Sequence, residues 1–393
     1  MLRKITILTM ILFLLFPQTN IWANEEGSSE LVESAKSAML LEVDTGTILY
    51  DKDPHKRLPP ASMTKLMSML LIMEELDKGS ITLEETIQVS EYAASMGGSQ
   101  IYLEPFEEMT VEDLLKAVAV ASANDATVAL AERISVTEQA FIDRMNERAS
   151  ELGLENTNFV NSTGLPAENQ YSSAHDMARI AQELLHHEEI TDYTKIYEDY
   201  LRQDTDDEFW LVNTNRLVKF YQGVDGLKTG YTSEAKYCLT ATAKRGDMRV
   251  VSVVMGAETP QKRNADITSM LDYAYGHYEL HQLHAKDDEL YHWQHIKADN
   301  DYLVAAPKQN ISMLLEKGEN ISDYRTEVSV DSSDEWPLAK GDEVGKIEIY
   351  KEEQLVKDYP LTIKEEIKDA SVWTLWKRMM NQLHHRDVMS NLN

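Results

Sequence analysis

The chain has 393 residues, with 38 Lys and Arg against 67 Asp and Glu, for a formal charge of −29. That acidity excludes an extended nucleic-acid surface, because neutralising phosphate needs net basic area. Cys238 is the only cysteine, which excludes an intramolecular disulfide framework and any multi-cysteine metal centre. With 43% hydrophobic residues, the length suits two or three domains with cores of their own.

Arg3 and Lys4 precede a short apolar run, Ile5 to Phe16, and Ile21-Trp22-Ala23 follows before Asn24-Glu25-Glu26. A basic start, a short apolar stretch and a small residue at the break predict a secretory signal peptide over 1–23. The run falls short of the roughly 20 residues needed for a membrane span. A mixed α/β domain is expected over 24–285. It opens with a hairpin, Ser37 to Val43 and Thr47 to Tyr50 around Asp44-Thr45-Gly46. After Pro59-Pro60, Ser62 to Met73 reads as a helix apolar on nearly all sides, hence central. Further helices are expected over Val111 to Val120, Asp125 to Ile134, Ala140 to Leu152 and Ala174 to Leu185. The first two are separated by Ala121-Ser122-Ala123-Asn124. Tyr237 to Ala243 and Met248 to Gly256 predict an antiparallel strand pair, and Asp266 to Tyr278 a closing helix. Short alternating segments from about 286 to 366 predict a small β-rich domain.

The tail, 367–393, is of another kind. At 100° per residue, Val372, Trp373, Leu375, Trp376, Met379, Met380 and Leu383 share one arc of about 160°. Lys377, Arg378 and Arg386 against Asp387 give residues 371–393 a charge of +2, leaving −31 for the other 370. This pattern predicts an amphipathic helix lying on an anionic membrane surface. The competing reading is a helix docked on the protein itself.

Ser62 and Lys65 form S-x-x-K. On a helix that spacing puts both side chains on one face, so an amine can reach a hydroxyl and act as its base. An apolar helix would desolvate Lys65 and lower its pKa. The plainer alternative is a capping serine and a snorkelling lysine, and Ser233 with Lys236 repeats the spacing. Ser122 and Asn124 sit in the break between helices, where a second hydroxyl can relay a proton and a carboxamide can orient a lysine. Read alone, such residues are more often helix caps. Lys228-Thr229-Gly230 leads toward the strand pair; a lysine at a strand edge is normally a solvated charge, but an extended peptide could also pair with the backbone there. Cys238 lies in an apolar strand with no nearby histidine and reads as packing. His384 and His385 point to different sides of a helix, and no metal is expected.

Ser62…Lys65, Ser122…Asn124 and Lys228-Thr229-Gly230, in that order, resemble the three-motif site of penicillin-recognising serine enzymes. Four longer strings resemble the low-molecular-mass D-alanyl-D-alanine carboxypeptidases: Pro60 to Met67, Ser122 to Ala126, Asn161-Ser162-Thr163-Gly164-Leu165-Pro166, and Val224 to Thr232. Pro337 to Gly345 resembles that family's C-terminal β domain. The resemblance implies a mixed α/β (α+β) fold, with a β-lactamase-like antiparallel sheet covered by helices and a small β domain after it. It implies Ser62 as nucleophile, Lys65 as its base, and Ser122 and Asn124 as proton relay and lysine holder. Lys228, Thr229, Gly230 and Tyr231 would form the substrate-binding strand, with the backbone of Ser62 and Tyr231 as oxyanion hole. Arg263, expected in a loop, matches an arginine that helps hold the carboxylate.

The implied activity is removal of the terminal D-alanine from peptidoglycan pentapeptide stems outside the membrane, with no cofactor and with β-lactams as covalent inhibitors. A β-lactamase competes weakly, because no E-x-x-L-N string lies between Asn124 and Lys228. A DD-endopeptidase on the same site and an inert wall-binding module also compete.

Overall fold

The computed structural model describes residues 31–300, 302–331 and 336–380. The expected signal peptide and the distal tail, including Leu383 to Asp387, lie outside the described residues.

β1 (Ser37–Glu42) and β2 (Ile48–Lys52) form the opening hairpin, and a 3-10 turn, Ala61–Thr64, carries Ser62 into α1 (Lys65–Asp77). A small pair, β3 (Thr86–Gln88) and β4 (Glu108–Thr110), brackets α2 (Glu91–Ala94). α3 (Val111–Ala121), α4 (Asn124–Ser135), α5 (Glu138–Glu151) and α6 (Ala174–Leu184) follow. α7 (Ile190–Thr194), a second small pair, β5 (Glu198–Leu201) and β6 (Phe209–Val212), and α8 (Leu217–Phe220) lead into β7 (Val224–Thr232). β8 (Lys236–Arg245), β9 (Met248–Ala257) and α9 (Pro260–His277) complete this part.

β1, β2, β7, β8 and β9 make an antiparallel sheet in the order β2-β1-β9-β8-β7, which leaves β7 at an edge. Alternation along β9 explains why the sheet is covered twice. Val251, Val253 and Met255 join the core built on α1, α3, α4 and α6, whereas Ser252 meets Met270 of α9. α1 is the centre of that core. Every residue from Lys65 to Met73 is buried, as its all-round apolar character requires.

The start of α9 and two small strand pairs differ from expectation. α9 starts at Pro260, not Asp266, because Thr259 caps it through a bond from Lys262 N to its side chain. Arg263 is therefore in the first turn of a helix and not in a loop. The small pairs β3–β4 and β5–β6 have no clear sequence signal, being only three or four residues long.

Beyond α9, β10 (Tyr278–His284), β11 (Tyr291–Trp293), β12 (Leu303–Pro307), β13 (Ile311–Glu316), β14 (Tyr324–Val330), β15 (Glu343–Lys351) and β16 (Gln354–Ile363) build two further sheets. β10 pairs with β13, and the larger sheet runs β11-β12-β16-β15-β14. Their core holds Ile311, Leu315, Ile347, Ile349 and Leu361. Lys357 Nζ donates to the Thr45 carbonyl at 2.8 Å, tying β16 to the opening hairpin.

A last helix covers 372–380. Val372, Trp373, Trp376, Met379 and Met380 are exposed, and the two indoles stack with centroids 4.9 Å apart. Arg378, expected among the lipid-facing cations, instead donates to the carbonyls of Ile296 at 3.0 Å and of Ala298. Thr374 Oγ1 bonds Asp299 at 3.1 Å. The polar side of this helix thus meets the β-rich part, and its apolar arc faces outward.

Candidate active site

The site assembles where the 3-10 turn of Ser62, the α3–α4 break and edge strand β7 converge. Lys65, one helical turn after Ser62, is completely buried. Its Nζ lies 3.5 Å from Ser62 Oγ and donates at 2.6 Å to both Asn124 Oδ1 and the Thr163 carbonyl. Burial first, and the nearby Lys228 charge second, hold its pKa well below the usual lysine range. A snorkelling surface lysine is excluded. The repeat of the spacing fails on this point, since Ser233 lies in the β7–β8 turn, Lys236 opens β8, and neither is buried.

The α3–α4 break is a left-handed stop. Ser122 takes φ 64°, and its neighbour Ala123 N returns to the Ala117 carbonyl. That conformation is uncommon for a residue with a Cβ. Among the described residues, Ser122 Oγ is a buried side-chain oxygen with no hydrogen-bond partner. Such a hydroxyl is costly unless a ligand or a reacting group completes it. Asn124 is no cap. Its Nδ2 donates to the Gly97 carbonyl at 2.7 Å while its Oδ1 holds Lys65. A Cβ on Gly98, at φ +86°, would stand 2.8 Å from that Nδ2, so this position must stay bare.

Lys228 is buried rather than solvated at its strand edge, and burial lowers its pKa to about 7. Thr229 Oγ1 donates to Thr214 Oγ1 at 2.7 Å. Gly230 is packed so closely that a Cβ would lie 2.7 Å from the Pro60 carbonyl, which seats β7 against the Ser62 turn. The open side of β7 leaves backbone groups free for an extended ligand. A cavity of about 670 Å³ joins Ser62, Ser122, Thr229, Tyr231 and Arg263. Arg263 is buried and donates to Asn264 Oδ1 at 3.0 and 2.8 Å, with its pKa lowered by burial to about 10. Among the described residues no carboxylate pairs with it, and a buried guanidinium of that kind beside a cavity suits an anionic ligand.

Thr214, Arg216 and the Thr163 carbonyl belong to the same site, and nothing in their sequence context marks them for it. The Asn161 to Pro166 string is recognisable but carries no chemistry by residue type. Asn161 Oδ1 accepts from Gly164 N at 2.7 Å, and Gln170 Oε1 accepts from Val160 N and Asn161 N. This scaffold aims Thr163 at Lys65. Cys238 is a packed strand residue, as expected, with burial pushing its thiol up to about 11.

The D-alanyl-D-alanine carboxypeptidase profile matches residues 24–259, more than half of the chain. This chain belongs to the D-alanyl-D-alanine carboxypeptidase family. Residues 278–369 match the C-terminal domain of penicillin-binding protein 5. The chain is 50% identical over 382 residues to D-alanyl-D-alanine carboxypeptidase DacF of Bacillus subtilis, covering 97% of this chain and 98% of the relative. Penicillin-binding protein 5 of Haemophilus influenzae superposes with a TM-score of 0.69 at 29% identity, covering 85% of this chain and 97% of that one. Penicillin-binding protein D2 of Listeria monocytogenes, solved in an ampicillin-bound form, gives 0.55 at 32% identity over 61% and 97%.

A buried cation in this family site has a stability consequence. Between pH 7 and the usual lysine range, the unfolded chain holds the Lys228 proton and the folded chain does not. Stability therefore rises with pH through that window. Lys228→Met should stabilise the protein by about 2–4 kcal/mol at neutral pH and less at pH 10, while impairing carboxylate binding. Thermal unfolding of both forms across that range checks it, and a destabilised variant would count against a strained Lys228.

Proposed function

We propose that this chain removes the terminal D-alanine from peptidoglycan pentapeptide stems, as a serine-type carboxypeptidase acting through an acyl-enzyme on Ser62. The observation that carries the reading is the fully buried Lys65 amine, 3.5 Å from Ser62 Oγ and in one site with the partnerless Ser122 hydroxyl. Lys65, its pKa lowered by burial, takes the Ser62 proton as Oγ attacks the D-Ala–D-Ala carbonyl. The backbone N–H groups of Ser62 and Tyr231 receive the developing oxyanion. Ser122 passes a proton to the leaving amine, D-alanine departs, and water hydrolyses the ester. Lys228, Thr229 and Arg263 hold the terminal carboxylate, which favours a carboxypeptidase over an endopeptidase. The ampicillin-bound relative supports β-lactams as acylating inhibitors of the same serine. The deciding assay incubates the protein with diacetyl-Lys-D-Ala-D-Ala and measures free D-alanine; no release would sink the reading.

The expected location is the outer face of the cytoplasmic membrane, with the tail as a peripheral anchor. Supporting it are the outward arc of Val372, Trp373, Trp376, Met379 and Met380, and the side chain of Lys377 beside them. With Arg378 engaged by carbonyls, hydrophobic burial carries more of the attachment than charge. Truncation after Ala370 should abolish co-sedimentation with anionic vesicles and leave soluble tripeptide turnover unchanged, and high salt should release the intact protein only in part. Equal pelleting of both forms would leave a docking helix as the better account.

A further inference from the structure

We propose that an aromatic shelf beside the active site holds the amino-sugar strand from which the stem peptide hangs. This rests on the carboxypeptidase reading and concerns a second part of the same substrate. The shelf is the loop from Ile101 to Glu107 with the facing edge of β6, around a cavity of about 860 Å³. Tyr102 and Phe106 project from it with 66% and 61% of their surface exposed. Both have left-handed backbones, at φ 57° and 68°, a conformation that bulky residues rarely adopt. A strained backbone carrying two exposed rings points to a use for the rings.

The loop is held rigidly. The buried Asp125 carboxylate accepts from Ile101 N at 3.0 Å and Leu103 N at 3.1 Å. Arg202 donates to both oxygens of Glu107, at 2.6 and 3.1 Å, and to the Ile101 carbonyl at 3.0 Å. Phe106 N bonds the Val89 carbonyl at 2.8 Å, and Tyr102 meets Phe209 edge-on at 6.0 Å. At the rim, the carboxylates of Glu104, Glu108 and Glu208 have no partner among the described residues. Flat apolar ring faces with acceptor-only oxygens around them fit a neutral sugar, whose C–H faces stack while its hydroxyls donate.

Continuity with the catalytic cavity selects the occupant. Ser99 lines that cavity and its carbonyl accepts from Asn124 N, so Tyr102 is three residues, at most about 11 Å of chain, from it. Four extended stem residues separate the scissile carbonyl from the sugar, about 13 Å. The two lengths are comparable, so a stem seated in the catalytic cavity can carry its glycan strand to the shelf.

The test pairs Tyr102→Gly and Phe106→Gly. Glycine is at ease at positive φ, so these variants should fold with unchanged or higher melting temperatures. Against a disaccharide-linked pentapeptide, kcat/KM of the double variant should fall about tenfold, with the sugar-free pentapeptide within about twofold of wild type. An unchanged ratio between the two substrates, or an equal fall on both, overturns the shelf. Binding of stem-free glycan strands, followed by co-sedimentation, reads the same contact without chemistry. Weaker binding by the double variant supports the proposal and equal binding overturns it. A wild type that binds strands yet releases no D-alanine would sink the carboxypeptidase reading alone.

Discussion

Ser62→Ala should abolish covalent labelling by a fluorescent penicillin, with acylation slowed by at least about 10⁴-fold, while the protein stays folded. The hydroxyl is the atom nearest Lys65 Nζ that can become a nucleophile. Removing it deletes one oxygen at a cavity-lining turn, so stability should change by less than about 1 kcal/mol. Lys65→Ala should lose acylation almost as completely, since nucleophile and base act as a unit and their losses do not add. The pH profile carries an independent sign. Only neutral Lys65 accepts the proton, and burial lowers its pKa, so the rate should rise with pH and level off well below the usual lysine range. Label persisting in Ser62→Ala and disappearing in Ser233→Ala would move the site.

Gly164→Ala is expected to be the most damaging single methyl group in the molecule. Gly164 has φ +87°, and a Cβ there would stand 1.9 Å from the Ala61 carbonyl oxygen and 2.9 Å from Ser62 N. Both are backbone atoms of the nucleophile turn, so no side chain can swing aside. Left-handed strain and overpacking together should cost roughly 3 kcal/mol or more. The chemical effect should exceed the stability effect, because relief of the clash moves the neighbouring Thr163 carbonyl off Lys65. Acylation should drop by about 100-fold or more, the scale of a 1 Å misplacement. Gly153→Ala is the control. It has φ +69° but nothing within 4 Å, so it should show only the backbone penalty and normal acylation. A Gly164→Ala protein that melts and acylates like wild type would refute the proposed contact.

The candidate residues are legible from the chain alone, because three motifs in order resemble a family's site although each by itself has a plainer reading. Ser62 and Lys65 share a face whatever surrounds their helix, and Leu66 to Met73 require that helix to be central. The long strands β8 and β9 and, in the β-rich part, β12 to β15 are equally legible, since period-two patterning is a local property, whereas β10, β11 and β16 are not read from the chain. Packing settled the rest. The Thr163 carbonyl on Lys65 has no signature, because every residue owns a carbonyl and only the Gly164 and Gln170 scaffold aims this one. Lys228 reads as a solvated strand-edge charge because burial depends on what covers the edge, and here the turn at Pro60 packs against the same strand. Arg378 reads as a lipid contact, but the carbonyls of Ile296 and Ala298 accept its N–H bonds. Thr214 and Arg216 enter the cavity from a distant connection, and β3 to β6 are strands only because each finds a pairing partner across an intervening loop. Local pattern specifies residue chemistry and long elements. Desolvation, backbone acceptors and short pairings come from non-local packing, which no window of sequence contains.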